Sequence, residues 1–85
     1  MDTHDQLVLR KTLDALRKIG PSGMAKNDIL DLAELSAGRP LTTDQRETLW
    51  QLLDERKYIA GHWEPVTYQE RWSLTERGLT ALESL

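Results

Sequence analysis

The sequence predicts a single, mainly helical domain that carries one small β-hairpin ahead of its last helix. Apolar residues recur at helical spacing through three successive segments, and from Tyr58 onward the spacing becomes that of extended strands. The chain has 85 residues, which is the size of one domain, so we treat residues 1–85 as one folding unit.

The first helix is predicted over residues 3–19 because apolar and small residues form one continuous face there. The residues on this face are Val8, Leu9, Thr12, Leu13, Ala15, Leu16 and Ile19. Leu7 points nearly opposite to them and is predicted to be exposed. The segment Gly20-Pro21-Ser22-Gly23 follows and ends the helix.

Two further helices follow, each with its own end signals. The second is predicted over residues 25–37, where Gly38 provides the stop. Its inner face holds Ile29, Leu30, Ala33 and Ala37. The third begins after Thr42, which forms a capping box with Gln45, and continues to about Arg56. The residues that it is predicted to bury are Leu49, Leu52 and Leu53.

The hairpin is predicted from strand-forming residues on both sides of a turn. Residues 58–63 form the first strand, residues 64–67 the turn and residues 68–74 the return strand, on which Trp72 and Leu74 share a face. The last helix covers residues 75–85 and is capped by Thr75. It is predicted to turn Leu79, Ala81 and Leu82 toward the core.

Composition excludes several classes of protein. The chain has no cysteine, so disulfides and thiolate metal sites are ruled out. A signal peptide begins with basic residues and continues with apolar ones, whereas the first residues here are polar and acidic. No apolar run has the length of a membrane span. We therefore expect a cytoplasmic protein without membrane contact. The formal charge is −3, whereas a general polyanion binder is basic.

Catalytic and metal-binding residues are too few for an enzyme. The chain has two histidines, His4 near the N-terminus and His62 in the hairpin. His62 and Glu64 share a strand face, but a closed metal site needs three or four ligands. The sequence also lacks phosphate-loop, dinucleotide and nucleophile motifs, so we expect neither enzymatic activity nor a cofactor.

Two passages of the sequence carry a resemblance to a known class. Leu49-x-x-Leu52 followed by Tyr58-Ile59, and Trp72-Ser73-Leu74-Thr75-Glu76-Arg77-Gly78, resemble the winged helix-turn-helix domains of MarR-like and PadR-like regulators. The resemblance covers about residues 5–85 and implies three helices, a two-stranded wing and a C-terminal helix. It also implies a small DNA-binding, transcription-regulator-like module. Glu55-Arg56-Lys57 departs from the glycine that this class often has before the wing.

In this class helix 3 enters the major groove of double-stranded DNA, and the wing contacts the adjacent backbone. The resemblance therefore assigns base or groove contacts to Thr43, Arg46 and Gln51. The residues that it assigns to phosphates are Lys26, Arg39 and Arg71. A homodimer on a two-part site is the corresponding expectation, and replacing Arg46 by glutamate is expected to abolish binding with little change in thermal stability.

The outward face of helix 3 supports a different function. Three of its residues are acidic, and carboxylates are repelled by DNA phosphates. The alternative is therefore a protein-interaction adaptor or an acidic, DNA-mimicking inhibitor on the same fold. The residues assigned to this protein contact are Leu7, Asp44, Glu47, Trp50 and Asp54. Convergence of the unpaired bases beside helix 3 favours DNA, whereas scattered bases and grouped carboxylates favour a protein partner.

Two residue groups have both a structural and a functional interpretation. Trp50 lies at the border of the apolar stripe, so it either packs in the core or anchors a partner, with Arg46 one turn away for a cation–π contact. The bases of helix 1 surround Asp14. This arrangement favours ion pairs with Asp14 on the surface, rather than contacts with phosphates or an acidic partner. Those bases are Arg10, Lys11, Arg17 and Lys18.

Overall fold

The computed structural model describes residues 3–85 and contains helices packed around a two-stranded antiparallel sheet. The elements are α1 (Thr3–Ile19), α2 (Lys26–Ala37), α3 (Thr43–Glu55), β1 (Ile59–Glu64), β2 (Gln69–Leu74) and α4 (Glu76–Ser84), with a 3₁₀ turn at Gly20–Ser22. This order confirms the predicted mainly helical class with one hairpin. Among the described residues, no helix is both long and apolar enough to cross a membrane.

The helices begin and end within one residue of the predicted bounds, and the predicted caps are formed. At α3 the Gln45 backbone N–H donates to Thr42 Oγ1 at 3.1 Å, and the Thr42 backbone N–H donates to Gln45 Oε1 at 2.9 Å, so both halves of the capping box are formed. At α4 the Gly78 N–H donates to Thr75 Oγ1 at 3.1 Å. Helix α2 ends at Gly38, whose φ of 73° is the left-handed conformation that glycine adopts without strain.

Lys57 ends α3 in the left-handed conformation that glycine commonly adopts after a helix. Its φ is 58°, which lysine adopts at a cost. This conformation turns the chain so that the Tyr58 N–H donates to the Leu53 carbonyl at 3.0 Å and closes the helix.

The hairpin has one register throughout, from Ile59 opposite Leu74 to Glu64 opposite Gln69. Each strand begins one residue later than predicted. Tyr58 is not part of β1 because its N–H closes α3. Tyr68 is not part of β2 because its φ of 54° belongs to the turn.

The core lies between α1, α2, α3 and the base of the hairpin. The residues of this cluster are Leu9, Leu13, Leu16, Ile29, Leu30, Trp50, Leu53 and Ile59. Four of the predicted core residues are less buried than expected, although Leu49 and Leu52 do pack against the core. Leu49 and Leu52 are only half-buried because the Trp50 ring takes the inner position on α3. Ile19, at the end of α1, is 40% exposed, and Leu79 of α4 is 37% exposed.

A short connection between α1 and α2 is joined to the free edge of β2. The Met24 N–H donates to the Trp72 carbonyl at 2.9 Å, and the Trp72 N–H donates to the Met24 carbonyl at 2.7 Å. Gly23 permits this approach, because a Cβ on it would lie 2.5 Å from the Trp72 carbonyl oxygen. The pairing fixes the hairpin against the start of α2.

Candidate functional site

One exposed stripe of α3 groups acidic side chains. Asp44, Glu47, Gln51 and Asp54 follow one another at spacings of three and four residues, and all four are exposed. We call these four residues the α3 outer face. Within the described part of the chain, none of their side chains has a hydrogen-bonding or ionic partner, so the three carboxylates are available to a ligand.

The acidic residues in the last turn of α3 destabilise that end of the helix. The last turn of the helix contains Asp54 and Glu55 and no basic residue. The free carbonyls there carry partial negative charge, so an anion in this turn costs free energy. Asp44 in the first turn is by contrast in a favourable place.

Arg46, which was assigned to a DNA groove, is held between two carboxylates of α2. Its Nη1 donates to Glu34 Oε1 at 2.6 Å, and its Nη2 lies 3.3 Å from Asp31 Oδ1. The hydrogen bond to Glu34 raises the pKa of Arg46, and the same bond lowers the pKa of Glu34, with help from the Leu41 N–H. The guanidinium therefore connects α2 to α3.

This geometry corrects the expected effect of replacing Arg46. A glutamate at this position would place three carboxylates together, at positions 31, 34 and 46, where the native chain has two ion pairs. We therefore expect the Arg46→Glu variant to lose thermal stability, contrary to the expectation from the sequence.

Trp50 belongs to the core, which confirms the first of its two interpretations and not the second, an exposed anchor for a partner. Only 9% of the residue is exposed, because its ring meets the Trp72 ring edge-on with the ring centroids 4.9 Å apart. The cation on its outer side is Lys26, whose Nζ lies 5.1 Å from the ring centroid. Arg46 does not take that position, because Glu34 and Asp31 bind it.

Three other residues were predicted to contact DNA, and each has a different environment in the fold. Arg71 donates to the carbonyls of Ser22 at 3.0 Å and Gly23 at 2.8 Å. These hydrogen bonds also hold the hairpin against the segment before α2. Arg39 is exposed and lines a groove between α1 and α3. Thr43 is exposed at the first position of α3.

The bases of α1 divide into two groups. Arg17 lies 2.7 Å and Lys18 3.3 Å from the carboxylate of Asp14, which confirms surface pairing for these two and lowers the pKa of Asp14. Arg10 and Lys11 have no ionic partner among the described residues, and they line a second groove, between α1 and α4, together with Arg17 and Asp14. Leu7, another predicted protein contact, borders this groove and is 43% exposed.

The hairpin also carries an exposed tryptophan. Trp63 is 61% exposed and lies directly opposite Glu70. Strand alternation places Trp63 on the same face as Ile59, but its pairing with Glu70 follows only from the register of the hairpin. Among the described residues, no group of three or more histidine, aspartate or glutamate side chains is arranged to hold a metal ion.

The arrangement therefore offers free carboxylates on α3, a group of bases in the groove between α1 and α4, and an exposed tryptophan on the hairpin. Comparison of the chain with protein-family models, with curated proteins and with solved structures gives no match in any of the three.

Proposed function

We propose that this domain is a protein-interaction module that presents the α3 outer face to a basic surface of a partner protein. The observation that supports it most is the asymmetry of charge on α3. The helix has a single base, Arg46, and Glu34 and Asp31 bind it, whereas Asp44, Glu47 and Asp54 have no partner in the described chain. A surface of this kind attracts cations and repels phosphates.

We further propose that the fold is a winged helix, with the hairpin as the wing. The order of three helices, a hairpin and a last helix supports this assignment. So does the pairing of Met24 with Trp72, which adds a short extended segment beside the hairpin, between the first and second helices. The function remains a separate question, because one fold serves many functions.

The positions of the predicted DNA contacts also support a protein partner over DNA. Convergence of four bases beside the start of α3 would favour DNA. Arg46 instead binds α2, Arg71 binds backbone carbonyls and Lys26 lies over the Trp50 ring. Arg39 has no partner among the described residues and lines the groove between α1 and α3, next to Asp44. With three of the four bases bound elsewhere, the positive potential that DNA needs is lower.

Binding of double-stranded DNA is the second candidate, and the element order favours it because this architecture presents a helix to the major groove. Thr43 and Gln51 are exposed and available for base contacts. The acidic, DNA-mimicking inhibitor is a special form of the first candidate, in which the basic partner is itself a nucleic-acid-binding protein.

The experiment measures the affinity of an octa-arginine peptide by fluorescence anisotropy at several salt concentrations. The test variant carries Glu47→Gln and Asp54→Asn, and the control carries Glu76→Gln and Glu83→Gln on α4, which changes the net charge equally. We expect the test variant to bind about tenfold more weakly with a smaller salt dependence. Equal losses in both variants would show that only net charge matters and would contradict the proposal.

A further inference from the structure

The groove between α1 and α3 has a mostly apolar lining. Its volume is about 270 Å³. Pockets that hold drug-sized ligands have about 300–1,000 Å³, so this groove has room for one large side chain rather than for a larger molecule. The apolar residues that line it are Val8, Leu9, Ala37, Leu41, Leu49 and Leu52.

The groove and the α3 outer face share a border on α3. Asp44 belongs to the outer face and also lines the groove. Thr48, another residue of the groove, lies one helical turn after Asp44 and directly follows Glu47 of the outer face. Both Asp44 and Thr48 are exposed. A basic partner that lies on the α3 outer face therefore reaches the mouth of the groove.

The charged residues of the groove favour a neutral side chain inside it. Asp44 and Asp5 line it together with Arg39, so both signs of charge are present. An acidic side chain in the groove would be repelled by the carboxylates, and a basic one by Arg39. Arg39 is exposed and has no ionic partner among the described residues, so its guanidinium can stack on an aromatic ring. An aromatic side chain therefore fits the groove better than an aliphatic one.

We propose that the groove between α1 and α3 binds an aromatic side chain of the basic partner, while neighbouring basic residues of that partner contact the α3 outer face. Exposed ion pairs each contribute little affinity and are screened by salt, whereas a few aromatic side chains in pockets carry much of the affinity of a protein interface. The partner segment is thus basic with an embedded aromatic residue. This inference rests on the proposed function, since it assumes the same basic partner.

The test compares two nonapeptides that differ only in their central residue. Each has four arginines on both sides of that residue, which is phenylalanine in one peptide and serine in the other. Fluorescence anisotropy measures both affinities, and we expect the native chain to bind the phenylalanine peptide about fivefold to tenfold more tightly. Because the peptides carry the same charge, the ratio of the two affinities reports on the groove alone.

A variant with a filled groove and a matched control show where the phenylalanine binds. Thr48→Trp is expected to occupy the groove with its own ring and to reduce the ratio below about twofold. Thr80→Trp is the control and should keep the native ratio, because Thr80 is also an exposed helical threonine but lies on α4, outside the groove. Since both threonines are exposed, the amide spectra of the variants should remain those of a folded chain. Arg39→Gln, which removes the stacking group, should lower the ratio about twofold. An unchanged ratio in Thr48→Trp would place the phenylalanine elsewhere and overturn the inference.

Amide-resolved NMR with the same peptides separates this inference from the proposed function. Shifts in the groove and on the α3 outer face, with a preference for phenylalanine, support both. Equal affinity of the two peptides, with shifts on the α3 outer face alone, overturns the groove and leaves the proposed function standing. A preference for phenylalanine in which Glu47→Gln and Asp54→Asn weaken neither peptide supports the groove and overturns the proposed function.

Other occupants of the groove give different results. Groove shifts with free indole, and none with either peptide, overturn the inference in favour of a small apolar ligand. Groove shifts that depend on the concentration of the protein alone overturn it in favour of a second copy of the chain.

Discussion

Arg46 connects α3, the helix that carries the α3 outer face, to α2. Its side chain is 24% exposed, and its principal partner, Glu34, is 28% exposed, so solvent screens this pair less than a fully exposed one. The pair fixes α3 against α2 and at the same time removes the base from the α3 surface. One residue thus sets both the position of the acidic face and its charge.

Glu34 makes the stability of the domain depend on pH. Arg46 lowers the pKa of this carboxyl in the folded state, so its contribution is complete above the ordinary glutamate pKa of about 4.3. That contribution is lost as the pH falls through the lowered value. We expect Glu34→Gln to reduce the free energy of unfolding at pH 7 and to reduce it much less near pH 2. Urea unfolding at both values measures this, and an equal difference at the two would contradict the ionic role of Glu34.

The backbone conformation of Lys57 costs stability. Because its φ is 58°, replacement by glycine removes backbone strain and should raise the free energy of unfolding by about 0.5–1 kcal/mol. Lys57→Ala is the control, since alanine keeps the strain while removing the same charge. Chemical denaturation distinguishes them, and an equal gain in both variants would assign the effect to charge.

At the scale of the element, acidic and basic residues meet at the end of α3. Asp54 and Glu55 in the last turn oppose the negative end of the helix dipole, whereas Arg56 at the C-cap and Lys57 after it favour that end. Among the described residues, neither base forms an ion pair with Asp54, so the Asp54 carboxylate remains available to a ligand.

Charge reversal at the two ends of α3 is expected to weaken peptide binding in both cases but to change the free energy of unfolding in opposite directions. Asp54→Lys should raise the free energy of unfolding by about 0.3–1 kcal/mol and weaken the binding of the octa-arginine peptide. Asp44→Lys, in the first turn, should weaken binding and lower stability as well. Thermal unfolding and anisotropy on the same samples measure both. If Asp54→Lys binds the peptide as tightly as the native chain, Asp54 does not belong to the interface.

Local signals predicted the elements well because their causes are local. The capping box of Thr42 and Gln45 and the stop at Gly38 depend on neighbouring residues, and the structure confirms them. It was harder to predict from the sequence which residues of α3 are buried in the core. Leu49 and Leu52 have the expected spacing, but the contact between Trp50 and Trp72 decides which side is buried, and that contact joins distant parts of the chain.

At the scale of the whole molecule, contacts between distant parts of the chain decide whether a charged side chain is paired or available to a ligand. The acidic stripe of α3 was predictable, since helical spacing alone places its residues on one face. The binding of Arg46 by Glu34 and Asp31 was not, because these residues are separated by 12 and 15 positions. The same holds for Arg71, whose carbonyl partners on Ser22 and Gly23 lie 49 and 48 positions away.

The central claim is that the α3 outer face binds a basic protein surface and not DNA. An amide-resolved NMR titration with mixed-sequence duplex DNA at low salt tests it most directly, because nonspecific DNA binding is strongest there. We predict no shifts on α3, and shifts on Asp44, Glu47 and Asp54 when the octa-arginine peptide replaces the DNA. Salt-sensitive shifts with DNA that are confined to α3, the start of α2 and the hairpin would contradict the account and restore the DNA-binding function.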